Sequence, residues 1–216
     1  MLAIAAPALM IAVACAAPTS LEPLQVDLDF GATMPSVASR AVAEAARIWT
    51  RYQVAVRSGG GAAGHIVVRV TIADRAPSTA PDPRAIGAIE FQDGVPAFEI
   101  HLYEQRAWEL ICSVEGTAVR QWPISYRELM LGRVLGRALA HELGHFLLRS
   151  PRHSGDGLMR GLQTIGELMA ENPPHLFLTA DDLRTLSAIR CGPPGINQPP
   201  PAISESGLSN WESRST

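Results

Sequence analysis

His141-Glu142-Leu143-Gly144-His145 is the stretch of this 216-residue sequence that decides its fold and its chemistry. Histidines four residues apart lie on one face of an α-helix, about 6 Å apart along the axis, so both can bind one metal ion. Glu142 projects beside such an ion, where its carboxylate can take a proton from a water that the metal activates. Zinc accepts imidazole nitrogens and needs no redox chemistry. The motif therefore predicts a zinc site with His141 and His145 as ligands and Glu142 as general base.

The segment around the motif has helical periodicity. Ser125 and Glu128 have the spacing of a capping box, which predicts the start of a helix, and Pro151 predicts its end just before that residue. Apolar residues recur at helical intervals between these limits. Val134 and Ala138 form one line with the two histidines, so we expect the histidines to continue the buried face of the helix.

A third ligand is needed, because a catalytic zinc has three protein ligands and one open position. His153 follows the predicted helix on a loop, and Gly155 and Gly157 permit the tight turn that folds it back beneath the helix. We therefore expect His153 to be the third ligand. In the alternative arrangement, that of thermolysin-like enzymes, the third ligand is a glutamate on a later helix, and Glu167 or Glu171 lies at a suitable distance along the sequence.

The pattern resembles that of the metzincin zinc peptidases, which read H-E-x-x-H-x-x-G-x-x-H and then carry a methionine in a turn under the metal. The resemblance implies that His141, His145 and His153 bind zinc, that Glu142 is the general base and that Met159 is the methionine of the turn. The sequence departs from the family pattern at two points. A leucine stands at the position of the family's glycine, and the last histidine comes two residues late. The helix is therefore expected to run further before it turns, or the loop to be wider.

A second resemblance is to a group of small exported bacterial proteins. The segment from His153 to Met159 reads His-Ser-x-x-Gly-Leu-Met, which is similar to the compressed layout of that group. The resemblance covers roughly residues 24–192, and its specific motif is confined to 141–159. It implies a zincin-like catalytic domain over 24–192 that acts on a peptide or protein substrate.

The composition argues against nucleic-acid binding and indicates one globular domain. The net charge is −3 with both signs interspersed, and aromatic residues make up 6% of the chain, so no surface for nucleic acid is expected. A hydrophobic content of 47% is enough for the core of one medium-sized domain.

The first 17 residues form an uncharged apolar run that ends in small residues. This pattern predicts a signal peptide over 1–17, cleaved after Ala16 or Ala17, and hence a secreted or periplasmic protein. The run is too short for a comfortable membrane span. Cys15 offers an alternative, a lipoprotein anchored to the membrane through that residue. In an exported chain the two remaining cysteines, Cys112 and Cys191, form one disulfide or stay as free thiols.

The order of predicted elements is strand–helix–strand–strand–strand–helix, which indicates an α+β fold with a mixed β-sheet. This order agrees with the zincin-like mixed β-sheet that the resemblance implies. The active-site helix is expected over about 125–149, and a short C-terminal helical subdomain ends in a helix that Thr179 and Asp182 cap. Residues 58–64 are a glycine-rich loop, and Ile86–Phe91 is the candidate edge strand for pairing with an extended substrate. Residues 193–216 are rich in proline and serine and are predicted to be disordered.

Together these features predict a zinc-dependent endopeptidase that hydrolyses peptide bonds, with Glu142 as general base. The alternative is an exported envelope protein that binds zinc at the same residues and does not cleave.

Overall fold

The computed structural model describes residues 22–190, apart from 33, 35, 79–81, 83 and 162. The predicted signal peptide over 1–17, with Cys15, and the predicted disordered tail over 193–216 lie outside the described residues. Cys191 lies outside them as well, so its pairing with Cys112 stays a prediction.

Five strands form one mixed sheet: β1 (Leu24–Asp29), β2 (Val54–Ser58), β3 (Ile66–Ala73), β4 (Gly87–Gln92) and β5 (Val95–Tyr103). Their order across the sheet is β2-β1-β3-β5-β4. All neighbours run parallel except β4, which is antiparallel to β5 and lies at one edge. The mixed sheet confirms the broad α+β expectation, and the strand predicted over Ile86–Phe91 is the edge strand β4.

In the described part of the chain five α-helices accompany the sheet: α1 (Ser36–Trp49), α2 (Glu104–Glu115), α3 (Ile124–Leu148), α4 (Ile165–Met169) and α5 (Ala180–Arg190). Alternate residues of β3, namely Ile66, Val68 and Val70, are buried, as the period of a strand with one covered face requires. Their side chains join those of α1 and α3 in the hydrophobic core. No helix in the described part of the chain has the length and apolar character needed to cross a membrane.

Helices α1 and α3 approach closely where α3 carries glycine. A Cβ on Gly136 would lie 2.7 Å from the carbonyl oxygen of Ala41 and 3.1 Å from its Cα. Such distances are shorter than van der Waals contact, so this position on α3 requires glycine. The close contact fixes the helix that carries the two motif histidines against the rest of the core.

The start of α3 differs from the prediction. The helix begins at Ile124, so Ser125 lies inside its first turn, and the residue before the helix makes no side-chain cap. Glu128 bonds elsewhere: it accepts a hydrogen bond from Ser36 Oγ at 3.4 Å and pairs with Arg40 at 3.8 Å. The predicted capping box is therefore wrong, because Glu128 joins α3 to α1 instead of closing the helix end.

The glycine-rich loop over 58–64 is held by Asp27, a buried carboxylate on β1. Asp27 accepts hydrogen bonds from Arg57 Nε at 2.8 Å, from His65 Nδ1 at 3.0 Å and from the backbone N–H of Ala62 at 3.2 Å. Burial raises the pKa of Asp27, but the bonds from Arg57, His65 and Ala62 outweigh it and lower the pKa to about 2. His65 therefore has a structural partner and lies outside the predicted zinc site.

Candidate metal centre

The imidazoles of His141, His145 and His153 converge at the C-terminal half of α3. The Nε2 atom of His145 lies 3.1 Å from that of His141 and 3.2 Å from that of His153. Among the described residues, these three form the group of histidine, cysteine and carboxylate side chains that could hold a metal ion. The structure thus brings together the three ligands expected from the sequence.

Backbone carbonyls fix the protonation of two rings. His141 Nδ1 donates to the carbonyl oxygen of Leu158 at 2.8 Å, and His145 Nδ1 donates to that of Ser150 at 2.7 Å. A carbonyl oxygen can only accept, so the proton of each neutral ring is on Nδ1 and the lone pair is on Nε2. The Nε2 lone pairs of both rings therefore point into the space between the histidines.

Neutral rings are favoured at this site. Burial, followed by the charges of His145 and His153, lowers the pKa of His141 to about 4. Burial also lowers the pKa of His145, with a further contribution from His153. Both rings are thus neutral near pH 7, the form that coordinates metals.

The distances between the nitrogens suit a tetrahedral ion. A metal–nitrogen bond of about 2.0–2.1 Å places two ligand nitrogens of a tetrahedral site roughly 3.3 Å apart. The observed separations from His145 are 3.1 and 3.2 Å. Two lone pairs at that separation repel each other unless a cation or a proton lies between them. The donor set and its spacing fit a small divalent transition metal, and His153 is exposed to solvent.

The late third histidine reaches the site through a turn that begins at the end of α3. Arg149 caps α3 in the left-handed conformation, with φ of 52°. The chain then reverses at Ser150. The N–H of Ser150 donates to the backbone oxygen of His145 at 3.2 Å, and the carbonyl of Ser150 accepts from the imidazole ring of His145. Pro151 follows outside the helix, and the next turn brings His153 back to the motif. The helix thus ends at Leu148, the position of the glycine in the pattern that the sequence resembles, so the two extra residues before His153 lie in the loop after the helix.

The loop that carries His153 is fixed at its far end. Ser154 N–H donates to Met159 O at 2.8 Å, and Leu158 N–H donates to Phe177 O at 2.7 Å. Gly157 has a φ of +78°, and a Cβ there would collide with the Phe177 carbonyl. The loop is therefore tied to the segment before α5, and this contact holds His153 near the other rings.

Met159 lies beneath the motif helix and is 1% exposed. Its thioether packs against Gly144, where a Cβ would meet Met159 Cε at 3.0 Å and Trp49 at 3.6 Å. Trp49 in turn donates from Nε1 to the Ala140 carbonyl at 3.1 Å. Met159 thus packs against the motif helix at Gly144, and Trp49, which the sequence did not single out, supports the same turn of α3.

Glu142 is buried between α3 and the edge strand, with 8% of its surface exposed. Burial raises its pKa to about 8, although a hydrogen bond from the backbone N–H of Ile89 on β4 acts in the opposite direction. Its Cγ would lie 3.0 Å from a Cβ on Gly87. The carboxylate thus rests on β4, next to the histidines, and the contribution of Gly87 and Ile89 could not be read from local sequence patterns.

Neither alternative glutamate joins the three histidines. The Glu167 carboxylate accepts from Arg160 Nη2 at 2.6 Å and from the backbone N–H of Thr164 at 2.8 Å, in a capping box that begins α4. Glu171 is exposed, and its carbonyl oxygen lies 3.5 Å from Arg137 Nη2. Thr164-x-x-Glu167 has the capping-box spacing, so the sequence contained the signal that places this carboxylate at a helix start.

His175, like His65, is bonded elsewhere, since its Nδ1 lies 3.1 Å from Asp156 Oδ1. No protein-family model matches this sequence, and no curated protein matches it either. The site must therefore be interpreted from its own residues.

Proposed function

We propose that the protein is a zinc-dependent endopeptidase. The observation that carries the proposal is the convergence of three Nε2 atoms, from His141, His145 and His153, beside a buried carboxylate on the same helix. Three imidazole ligands with tetrahedral spacing are a donor set found in catalytic zinc sites. Zinc held there would lower the pKa of a water molecule and polarise the carbonyl group of a substrate.

Glu142 is the residue that we assign to proton transfer. Its pKa of about 8 lies near neutral pH, where a carboxyl group can both accept and return a proton. In the proposed reaction it takes the proton of the attacking water and passes it to the amine of the leaving peptide. Its place on α3, one residue after His141, keeps the carboxylate beside the ligand set without joining it.

The edge strand β4 supports a peptide as substrate. It borders the site, since Phe91 contacts the His145 ring edge to face with centroids 6.5 Å apart. A strand edge can pair with an extended backbone, which is one of the recurring ways in which a protein binds an unfolded peptide. We extend the proposal to a zincin-like, metzincin-related fold and to an exported protein, the latter on the predicted signal peptide over 1–17.

The experiment compares zinc-loaded wild type with Glu142→Ala on a library of unstructured peptides. Cleavage should fall by about 100-fold or more in the variant, because a positioned general base contributes that much, while the zinc content should stay at one ion per chain. Glu171→Gln is the matched control, since it removes an exposed carboxylate from the neighbouring segment and should leave both properties unchanged. Equal rates in wild type and Glu142→Ala would contradict the proposal and favour the alternative of a zinc-binding protein without activity.

A further inference from the structure

The backbone carbonyl oxygen of Leu158 accepts hydrogen bonds from two side chains. His141 Nδ1 donates to it at 2.8 Å, and Gln163 Nε2 donates to it at 3.1 Å. A carbonyl oxygen has two lone pairs, so it can accept from both donors at the same time. The amide of Gln163 must present its nitrogen here, because the oxygen of a side-chain amide cannot donate. Gln163 therefore shares the acceptor that fixes the ring of His141.

The two histidines on α3 differ in how their acceptors are held. The acceptor of His145 is the carbonyl of Ser150, five residues along, in the turn that follows α3. The acceptor of His141 is the carbonyl of Leu158, 17 residues along, so its position depends on the loop that carries His153. A second donor on the Leu158 carbonyl restrains the direction of that carbonyl, and through it the rotation of the His141 ring.

The chain on each side of Gln163 is fixed beside the site. Thr164, the next residue, begins α4 in a capping box with Glu167. Gly161, two residues earlier, lies against the third histidine, since a Cβ there would be 3.0 Å from His153 Cγ and 3.2 Å from its Nδ1. The side chain of Gln163 is itself half-buried. These contacts hold the amide of Gln163 within reach of the loop carbonyl.

We propose that Gln163 is a positioning residue for zinc, which orients the His141 ring through the Leu158 carbonyl. The inference rests on the zinc site of the proposed function, because it takes zinc as the ion that the histidines bind. Outer partners of a metal-binding histidine fix its tautomer and its direction, and their removal typically lowers metal affinity 10- to 100-fold. Gln163 contacts the acceptor and not the ring, so its removal should have an effect at the lower end, about tenfold.

Calorimetric titration of zinc into the metal-free full chain compares wild type with Gln163→Met. Methionine is similar in length but has no N–H, so it fills the same space and loses the bond to Leu158. The zinc affinity should fall about tenfold, while the stoichiometry stays at one ion per chain. Gln163→Ala should lose a similar factor. Gln121→Met is the matched control, because it makes the same change at an exposed glutamine before α3, and it should bind zinc as wild type does.

Nuclear magnetic resonance of the zinc-loaded, isotope-labelled chain separates positioning from general structural support. The Nδ1 proton of His141 should change its chemical shift in Gln163→Met, because the carbonyl that it bonds to has lost its second donor. The Nδ1 proton of His145 bonds to Ser150 and is the internal reference, so its chemical shift should stay the same. A general loosening of the site would instead move both resonances.

The inference is overturned if Gln163→Met binds zinc as tightly as wild type, if the His141 proton keeps its chemical shift, or if both protons move together. Its failure differs from failure of the proposed function. A wild type that cleaves peptides, with unchanged zinc affinity in Gln163→Met, keeps the peptidase and loses the positioning role. A wild type that binds zinc without cleaving, with the loss of affinity in Gln163→Met, keeps the positioning role and loses the peptidase. A wild type without stoichiometric zinc overturns both.

Discussion

The thioether of Met159 lies directly against Gly144, the residue just before the second histidine of the motif. A Cβ on Gly144 would meet Met159 Cε at 3.0 Å and the sulfur more closely still. Met159 is 1% exposed, so it cannot swing into solvent without opening the core. This packing connects the turn that follows His153 to the helix that carries His141 and His145.

We expect Gly144→Ala to destabilise the protein by about 1–2 kcal/mol. Overpacking in a dense core costs roughly 1–3 kcal/mol, and the better helix propensity of alanine returns up to about 1 kcal/mol. Urea unfolding of the purified variants measures the change. Gly166→Ala is the control, because Gly166 lies in α4 with open space at its Cβ position, and it should be neutral or slightly stabilising. A fully stable Gly144→Ala would mean that Met159 does not pack here as described.

Arg137 joins three parts of the fold and is 1% exposed. Its Nε donates to Glu44 Oε1 at 2.8 Å and its Nη1 to the Glu167 carbonyl at 2.7 Å. Arg137→Gln leaves these partly buried acceptors without the buried guanidinium, so we expect a loss of about 3 kcal/mol of unfolding free energy. Arg47 pairs with the same Glu44 from a more exposed position, and Arg47→Gln should cost under about 1 kcal/mol. Similar losses in both variants would contradict the special role of the buried arginine.

The lowered pKa of Asp27 predicts how the free energy of unfolding changes in acid. The pKa of Asp27 is about 2 in the folded protein against 3.8 for an ordinary aspartate. The folded pKa is the lower one, so the stabilisation is present above pH 3.8 and is lost as the pH falls toward 2. The shift corresponds to about 2 kcal/mol. Unfolding free energies measured from pH 5 downward should decline less steeply in Asp27→Asn, whereas Asp93→Asn, an exposed position in the β4–β5 turn, should follow wild type. Parallel curves for Asp27→Asn and wild type would refute this role.

Much of the site could be predicted because its ligands depend on short-range rules. Helical spacing places His141 and His145 on one face, and a proline after the helix forces the turn that returns His153. The edge position of β4 was expected from the resemblance to the zincin fold. These features involve residues close in the sequence or a topology with few alternatives.

Other features could not be predicted because they depend on which surfaces meet. The contact between Glu142 and the Ile89 amide depends on the order of the strands in the sheet and on which amides of β4 point away from β5. Neither is encoded in a local sequence pattern. Glu128 had the spacing of a cap and bonds instead to Ser36 on α1, because tertiary partners outweighed the local alternative. Glu167 was considered as a ligand, and its own capping box with Thr164 holds it at the start of α4.

Zinc titration of the metal-free protein, followed by calorimetry, tests the central claim most directly. The three imidazoles predict one zinc per wild-type chain. His153→Ala should weaken that affinity by about 100-fold or more, since removal of even an outer partner of a ligand typically costs 10- to 100-fold. Glu167→Gln should bind zinc as wild type does. A wild type without stoichiometric zinc binding, or a His153→Ala variant with unchanged affinity, would contradict the account.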